Sequence, residues 1–145
     1  MNPGAVDAAL ELDPAWRARL RAQWLEVADC AVFGDLQSSR LGALARMRRR
    51  VLDAGERLRA LIAARAWIPH PRERLKNALA GALGAREALA ELQRATDPID
   101  GGPDRARLLN AVADLGTVLD EALPALEERW AQLLDSQYRE ARDDD

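Results

Sequence analysis

The chain is poor in residues that build strands. Its 145 residues include one Phe and one Tyr, and Val, Ile and Thr are sparse. Strands favour β-branched and aromatic residues, whereas the abundant Ala, Leu, Arg and Glu favour helix. The composition therefore predicts helix nearly throughout, and the length predicts one domain over residues 1–145.

Nucleophiles are also scarce, as are the histidine and cysteine ligands of metals. Cys30 and His70 are each the single residue of their type, which excludes an internal disulfide and a cysteine zinc cluster. No HExxH, paired Glu-x-x-His, GxxxxGK[ST] or GxGxxG pattern occurs, and these mark the common zinc, di-iron, phosphate and dinucleotide sites. We therefore expect no metal, no cofactor and no enzymatic activity. Cys30 is predicted to be a small buried core residue.

Long apolar runs are absent as well. No run approaches the roughly 18 residues that a membrane-spanning helix needs. The opening sequence MNPGAVDAALEL lacks the basic start and the apolar centre of a secretory signal. With a single cysteine, these features predict a cytoplasmic protein that does not bind membranes.

The longest unbroken helical pattern runs from Pro103 to Tyr138, where apolar residues recur in steps of three and four. This stripe consists of Leu108, Val112, Leu115, Leu119, Leu123, Leu126, Trp130 and Leu133. Together with three shorter patterns, bounded by prolines and glycines, it predicts four helices at about 14–33, 39–66, 71–95 and 103–138. The ends, 1–12 and 140–145, are expected to be flexible. Four helices joined by short loops predict an all-α, antiparallel four-helix bundle.

The net charge of −3 conceals an uneven distribution. Residues 36–76 carry eleven basic residues against three acids, and residues 97–145 carry thirteen acids against five arginines. In a bundle of this helix order, the second and fourth helices can be neighbours or lie diagonally opposite. The charge balance favours neighbours, because opposite charges attract. Alternatively, one or both charged faces meet an outside partner.

The second helix carries two sets of arginines. The first set lies opposite the apolar arc of the helix and forms the predicted partner-binding surface, which consists of Arg46, Arg49, Arg50 and Arg57. Arg48 and Arg59 fall within the apolar arc instead, and Arg86 falls among the leucines of the third helix. A long arginine can lie along apolar surface with its head in water. Otherwise each of these three needs a carboxylate or a phosphate.

A strip of small residues follows one face of the third helix. It consists of Asn77, Ala80, Gly81, Gly84 and Ala88. A glycine inside a helix costs roughly 1 kcal/mol relative to alanine. Two glycines therefore predict the close approach of another backbone, which either the bundle or a second subunit supplies.

One short pattern points to a different chemistry. Arg65 is separated from His70 by four residues, which resembles the Arg-x4-6-His motif of the HEPN ribonucleases, themselves helical bundles of this size. The resemblance implies that Arg65 would stabilise charge on a scissile phosphate and that His70 would act in acid–base chemistry. The family usually has a polar residue after the arginine, where this chain has Ala66. It also commonly places the motif just before the last helix.

These features together favour a non-catalytic interaction protein. We expect a small subunit or adaptor of a larger bacterial-type assembly, which binds a partner protein or itself through charged helix faces. The alternative is an RNA-associated protein. It would be either a small subunit of a ribonucleoprotein effector, similar in size and class to those that line the RNA in CRISPR effector complexes, or a HEPN-like ribonuclease that uses Arg65 and His70. A bundle with a small-molecule pocket is a third hypothesis.

Overall fold

Four helices form a ring in the part of the chain that the structure describes. The computed structural model describes residues 14–62 and 70–143. In these ranges the helices are α1 (Pro14–Phe33), α2 (Ala43–Ile62), α3 (Pro71–Thr96) and α4 (Arg105–Asp143). Each helix packs against the next, and α4 packs back against α1. The predicted all-α four-helix bundle is confirmed. None of the helices in the described ranges is both long enough and apolar enough to cross a membrane.

Contacts between neighbouring helices run in opposite chain directions. Trp16, near the start of α1, donates a hydrogen bond from its indole nitrogen to the carbonyl of Val118 at 2.6 Å. Arg107, near the start of α4, reaches Glu26 in the second half of α1. The α1–α2 and α2–α3 contacts are reversed in the same way. The helices are therefore antiparallel to their neighbours.

The prediction that α2 and α4 are neighbours is wrong. They lie diagonally across the ring, because short connections place consecutive helices side by side. Arg50 of α2 pairs with Glu91 of α3 instead, and Arg19 of α1 pairs with Glu121 of α4. The net charge of a whole helix does not choose its neighbour, because only the side chains that face each other interact strongly.

The core is filled largely by the predicted apolar residues. In α4 the stripe is buried from Leu108 to Leu126, and Trp130 and Leu133 are half-buried. Cys30 is fully buried, as predicted. The other helices contribute mainly Trp16, Leu20, Val27, Met47, Val51, Leu58, Leu75 and Leu92. Pro124 lies on the exposed side of α4, which continues through it to Asp143, past the predicted end at residue 138.

The sequence predicts an apolar arc on α2 that is centred on Leu44, Val51, Leu58 and Ile62 and flanked by Leu41, Met47, Leu52 and Leu61. The buried face of α2 is rotated from this arc. The helix begins at Ala43, because the preceding Gly42 has a φ of 77°. Leu41 therefore lies in the turn and is 98% exposed, while Leu52 is 71% exposed. The buried residues of α2 are Ala43, Met47, Val51, Ala54, Leu58 and Leu61. Leu41 and Leu52, which the sequence placed at the edges of the apolar arc, are therefore not core residues.

The arginines expected among apolar residues are exposed. Arg48, Arg59 and Arg86 all lie at the surface, because the apolar faces of their helices are turned away from them. Arg48 donates from Nε to the carbonyl of Ala31 at 3.1 Å, and Arg59 pairs with Glu56 one turn earlier.

The small-residue strip of α3 lies partly under α2. Ala88 is buried, and Gly81 and Gly84 are half-buried. The neighbour of Gly84 is a side chain rather than a backbone. A Cβ at this position would lie 3.9 Å from Cδ of Arg57, which is an ordinary contact distance. At this glycine the bundle itself supplies the neighbour.

Two loops meet at one end of the bundle. The loop at 34–42 and the loop at 97–104 are joined by a hydrogen bond from Asp100 N to the carbonyl of Gln37, 2.8 Å long. Leu36 and Ile99 cover the end of the core beneath them. These contacts hold the start of α2 against the end of α3, where the candidate site lies.

Candidate interaction surface

A ladder of charged residues connects α2 and α3. Charged residues of α2 recur in steps of three and four at positions 46, 49, 50, 53 and 57, which places them on one stripe. Glu87, Glu91 and Arg94 follow the same spacing on α3. Arg57 lies 3.8 Å from Glu87, and Arg50 lies 3.1 Å from Glu91. These two ion pairs are successive rungs of an antiparallel ladder.

The third rung brings two arginines together. One step beyond the Arg50–Glu91 pair, Arg46 of α2 and Arg94 of α3 line the same notch. Both side chains are exposed, and neither forms an ion pair or a hydrogen bond within residues 14–62 and 70–143. Like charges at neighbouring positions repel each other. The ladder therefore has a positively charged rung with no acid of its own.

The notch extends along α2. A second depression shares Arg46 and Arg50 with the first and adds Arg49 and Asp53. We call this surface the arginine notch, defined by Arg46, Arg49, Arg50 and Arg94 together with Glu91 and Asp53. The part between the helices has a volume of about 340 Å³, and a single water needs only about 10–15 Å³ of such space. A carboxylate or a phosphate group therefore fits.

The four arginines predicted from the sequence to bind a partner differ in whether they pair with acids of this chain. Arg46 and Arg49 have no acidic partner in the described part of the chain. Arg50 is shared between Glu91 and Asp53, at 3.1 and 3.7 Å. Arg57 lies outside the notch, where it pairs with Glu87 and also donates to the carbonyl of Gly84 at 3.3 Å.

Sequence reasoning missed Arg94. It belongs to a helix of no net charge over residues 77–96, so charge balance did not select it. Its spacing from Glu87 and Glu91 was the available signal, since these three residues share one face of α3.

Arginines at the opposite side of the ring are satisfied by the bundle. Arg19 forms two hydrogen bonds with the carboxylate of Glu121, at 2.8 and 2.9 Å, and this contact raises the pKa of Arg19. Arg107 contacts both Glu26 and Asp29, and the hydrogen bond with Glu26 is the main reason why its pKa is also raised. Arg19 and Arg107, at the α1–α4 contact, are thus paired with acids of the same chain, whereas Arg46, Arg49 and Arg94 of the arginine notch are not.

The two residues that sequence reasoning considered for chemistry lie apart from the notch. Cys30 is buried, and this burial is the main reason why the pKa of its thiol is raised, with Arg107 acting in the opposite direction. A thiol of raised pKa is a poor nucleophile near neutral pH. His70 is exposed immediately before α3, and Arg65 lies outside the described residues. In residues 14–62 and 70–143, no cluster of three or more His, Cys, Asp or Glu could hold a metal ion.

A second surface feature is an apolar groove between α1 and α2. The ring of Trp24 lies over Gly55 at its centre, and the exposed Leu25 and Leu52 flank this contact. We call this surface the α1–α2 groove. Its lining residues are Arg21, Trp24, Leu25, Leu52, Gly55, Glu56, Arg59 and Ile62.

Comparison of the chain with protein-family models, with curated proteins and with solved structures gives no match. Its function is therefore inferred from its own surfaces.

Proposed function

We propose that the chain is a non-catalytic interaction protein that binds an acidic segment of a partner protein in the arginine notch. The rung formed by Arg46 and Arg94 carries this proposal. The other two rungs of the ladder support a carboxylate as the missing group, because each pairs an arginine with a glutamate. A carboxylate from a partner would complete the ladder in the same way. Charge-assisted hydrogen bonds between guanidinium and carboxylate groups are among the stronger polar contacts.

The surroundings of the notch support a short acidic protein segment rather than RNA. Glu91 and Asp53 alternate with the arginines and would repel a continuous phosphate backbone. Base stacking on aromatic rings contributes about 1–3 kcal/mol per base in single-strand binding. In the described part of the chain, no aromatic residue lines the notch. Trp16 is buried against α4, and Trp24 lies in the α1–α2 groove.

The test is a binding measurement with two probes. Fluorescence anisotropy would follow a labelled peptide of Glu-Ala-Ala-Glu repeats and a labelled single-stranded oligouridine, each at low and at moderate salt. The decisive variant is Arg94→Glu. The new glutamate would pair with Arg46 and so take the place of the partner's carboxylate. Arg86→Glu is the matched control, because it makes the same charge change at an exposed position of α3 outside the notch.

We expect the native chain to bind the acidic peptide and Arg86→Glu to retain that binding. Arg94→Glu should bind the peptide at least about tenfold more weakly, a difference of 1.4 kcal/mol. Equal losses in both variants would mean that net charge attracts the peptide, and the notch would be the wrong site. Preference for oligouridine, with a steep loss on adding salt, would favour the RNA-associated alternative.

The ribonuclease form of that alternative has a separate test. His70 is exposed to solvent immediately before α3. We expect purified native chain to leave labelled oligouridine intact and His70→Ala to behave identically. Cleavage by the native chain that disappears in His70→Ala would contradict the non-catalytic proposal, because acid–base catalysis needs that imidazole.

A further inference from the structure

The arginine notch holds more positive charge than its own acids neutralise. Four arginines against two acids leave an excess of two positive charges. The two acids, Glu91 and Asp53, both contact Arg50, at 3.1 and 3.7 Å. The other three arginines of the notch form no ion pair or hydrogen bond within the described ranges 14–62 and 70–143. One bound carboxylate would therefore neutralise only half of the excess.

The excess charge lies at two neighbouring positions. Arg46 and Arg94 line the depression between the helices, and Arg46 and Arg49 line the depression along α2. Because Arg46 belongs to both, the two positions adjoin. Arg46 and Arg49 are three residues apart on one helix, so their Cβ atoms lie about 5–6 Å from each other. A ligand that occupies both positions needs two acidic groups a similarly short distance apart.

The bundle itself contains a helix that supplies two such groups. Glu87 and Glu91 of α3 are four residues apart and therefore project from one face. They contact Arg57 and Arg50 of α2, at 3.8 and 3.1 Å. The charged stripe of α2 thus already binds one helix that carries glutamates at this spacing.

We propose that the partner of the arginine notch is an acidic helix that carries two carboxylates on one face, three or four residues apart. One carboxylate would lie between Arg46 and Arg94, and the other would reach Arg49. This assignment rests on the function proposed above, to which it adds the spacing of the partner's acids and a role for Arg49. Arg49 determines specificity, because it distinguishes a pair of acids from a single one.

Two separate carboxylates fit the notch better than one phosphate group. A phosphorylated side chain places a charge of about −1.5 to −2 at a single point. Of the two depressions, Arg94 lines only the one between the helices and Arg49 only the one along α2. A pair of carboxylates distributes the same negative charge over both.

The experiment compares alanine-based helical peptides that differ only in the placement of their acids. The paired peptide has two glutamates four residues apart, and the single peptide has glutamine in place of the second glutamate. The split peptide has its two glutamates two residues apart, which turns them away from each other on a helix. A neutral peptide has glutamine at both positions. Chemical-shift titration of the ¹⁵N-labelled full chain at low salt would measure the dissociation constants, and circular dichroism would compare the helix content of the peptides.

We expect the native chain to bind the paired peptide at least about threefold more tightly than the single or the split peptide, as one added exposed ion pair allows. In Arg49→Ala this preference for the paired peptide should disappear, because the second carboxylate loses its cation. Arg59→Ala is the matched control. It removes an exposed arginine of the same helix outside the notch and should keep the full preference.

Three results would overturn the proposal. The native chain could bind the single or the split peptide as tightly as the paired one, Arg49→Ala could keep the preference, or Arg59→Ala could lose it as fully as Arg49→Ala.

The single peptide tests the proposed function separately. It should bind more tightly than the neutral peptide and lose that advantage in Arg94→Glu. If it does so while the second glutamate adds nothing, the notch keeps its proposed function and only the preference for paired acids is wrong. If the single and neutral peptides bind equally, the proposed function itself fails.

Discussion

The ring of Trp24 on α1 occupies the space that a side chain at position 55 of α2 would need. A Cβ built on Gly55 would lie 2.5 Å from Cζ2 of the indole, far inside van der Waals contact. Glycine in the middle of a helix is unfavourable by about 1 kcal/mol relative to alanine. The close approach of α1 and α2 at this point explains why α2 has glycine there.

Replacing Gly55 with alanine should destabilise the fold in spite of the better helix propensity. Overpacking of a filled site typically costs about 1–3 kcal/mol, and we expect a net loss near the lower end of that range. Urea unfolding followed by circular dichroism would measure it.

The matched comparison is made in a Trp24→Ala background, where the indole is gone. There Gly55→Ala should stabilise the chain by up to about 1 kcal/mol, because only the propensity difference remains. If Gly55→Ala already stabilises the chain with Trp24 present, the indole is free to move and the predicted packing constraint is wrong.

Arg94→Glu should be less costly to the fold when Arg46 is present than when it is absent. The substitution replaces a repulsive arginine pair with an ion pair to Arg46, and exposed ion pairs contribute about 0.2–1 kcal/mol. It also places an acid in the last turn of α3, where a negative charge is unfavourable by a similar amount. We therefore expect the effect of Arg94→Glu in urea unfolding at low salt to be about 0.5 kcal/mol more favourable with Arg46 than in an Arg46→Ala background, and this difference should shrink as salt is added. Equal effects in the two backgrounds would mean that Arg46 and Arg94 do not face each other as the ladder requires.

Cys30 should make the stability of the chain fall at alkaline pH. Burial raises the pKa of its thiol in the folded state, whereas an exposed thiol titrates near 8.5. The unfolded chain therefore releases this proton first as the pH rises. The contribution to stability is fully present below the unfolded pKa and is lost as the pH rises from about 8.5 through the folded value.

The measurement compares native chain with Cys30→Ala by urea unfolding between pH 7 and pH 10. Cys30→Ala loses some packing at every pH, so the informative quantity is the slope with pH above about 8.5. The slope should be shallower in the variant. Identical slopes would show that the thiol ionises equally in the folded and unfolded states.

Much of the fold was predictable because helical periodicity is local. The leucines of α4 recur every three or four residues, and burial of that stripe follows from the spacing. Proline at Pro14 and Pro71 marks the starts of α1 and α3 for a similarly local reason. The prediction was less accurate for α2, where the positive φ of Gly42 delays the start of the helix and Leu41 is left in the turn. Leu52 lies in a surface groove but has the same three- and four-residue spacing as the core leucines, so the sequence pattern does not distinguish it from them.

The sequence by itself determined the all-helical class, the four segments, the apolar stripe of α4 and the burial of Cys30, because each depends on residues close together in the chain. Only the tertiary structure decided which faces meet. It placed α2 diagonally opposite α4, although their charges suggested contact. It also gave Arg50 and Arg57 acids of α3 and left Arg46 beside Arg94. Net charge is a property of a whole segment, whereas an ion pair depends on the register and rotation of two helices, which the packing of the core sets.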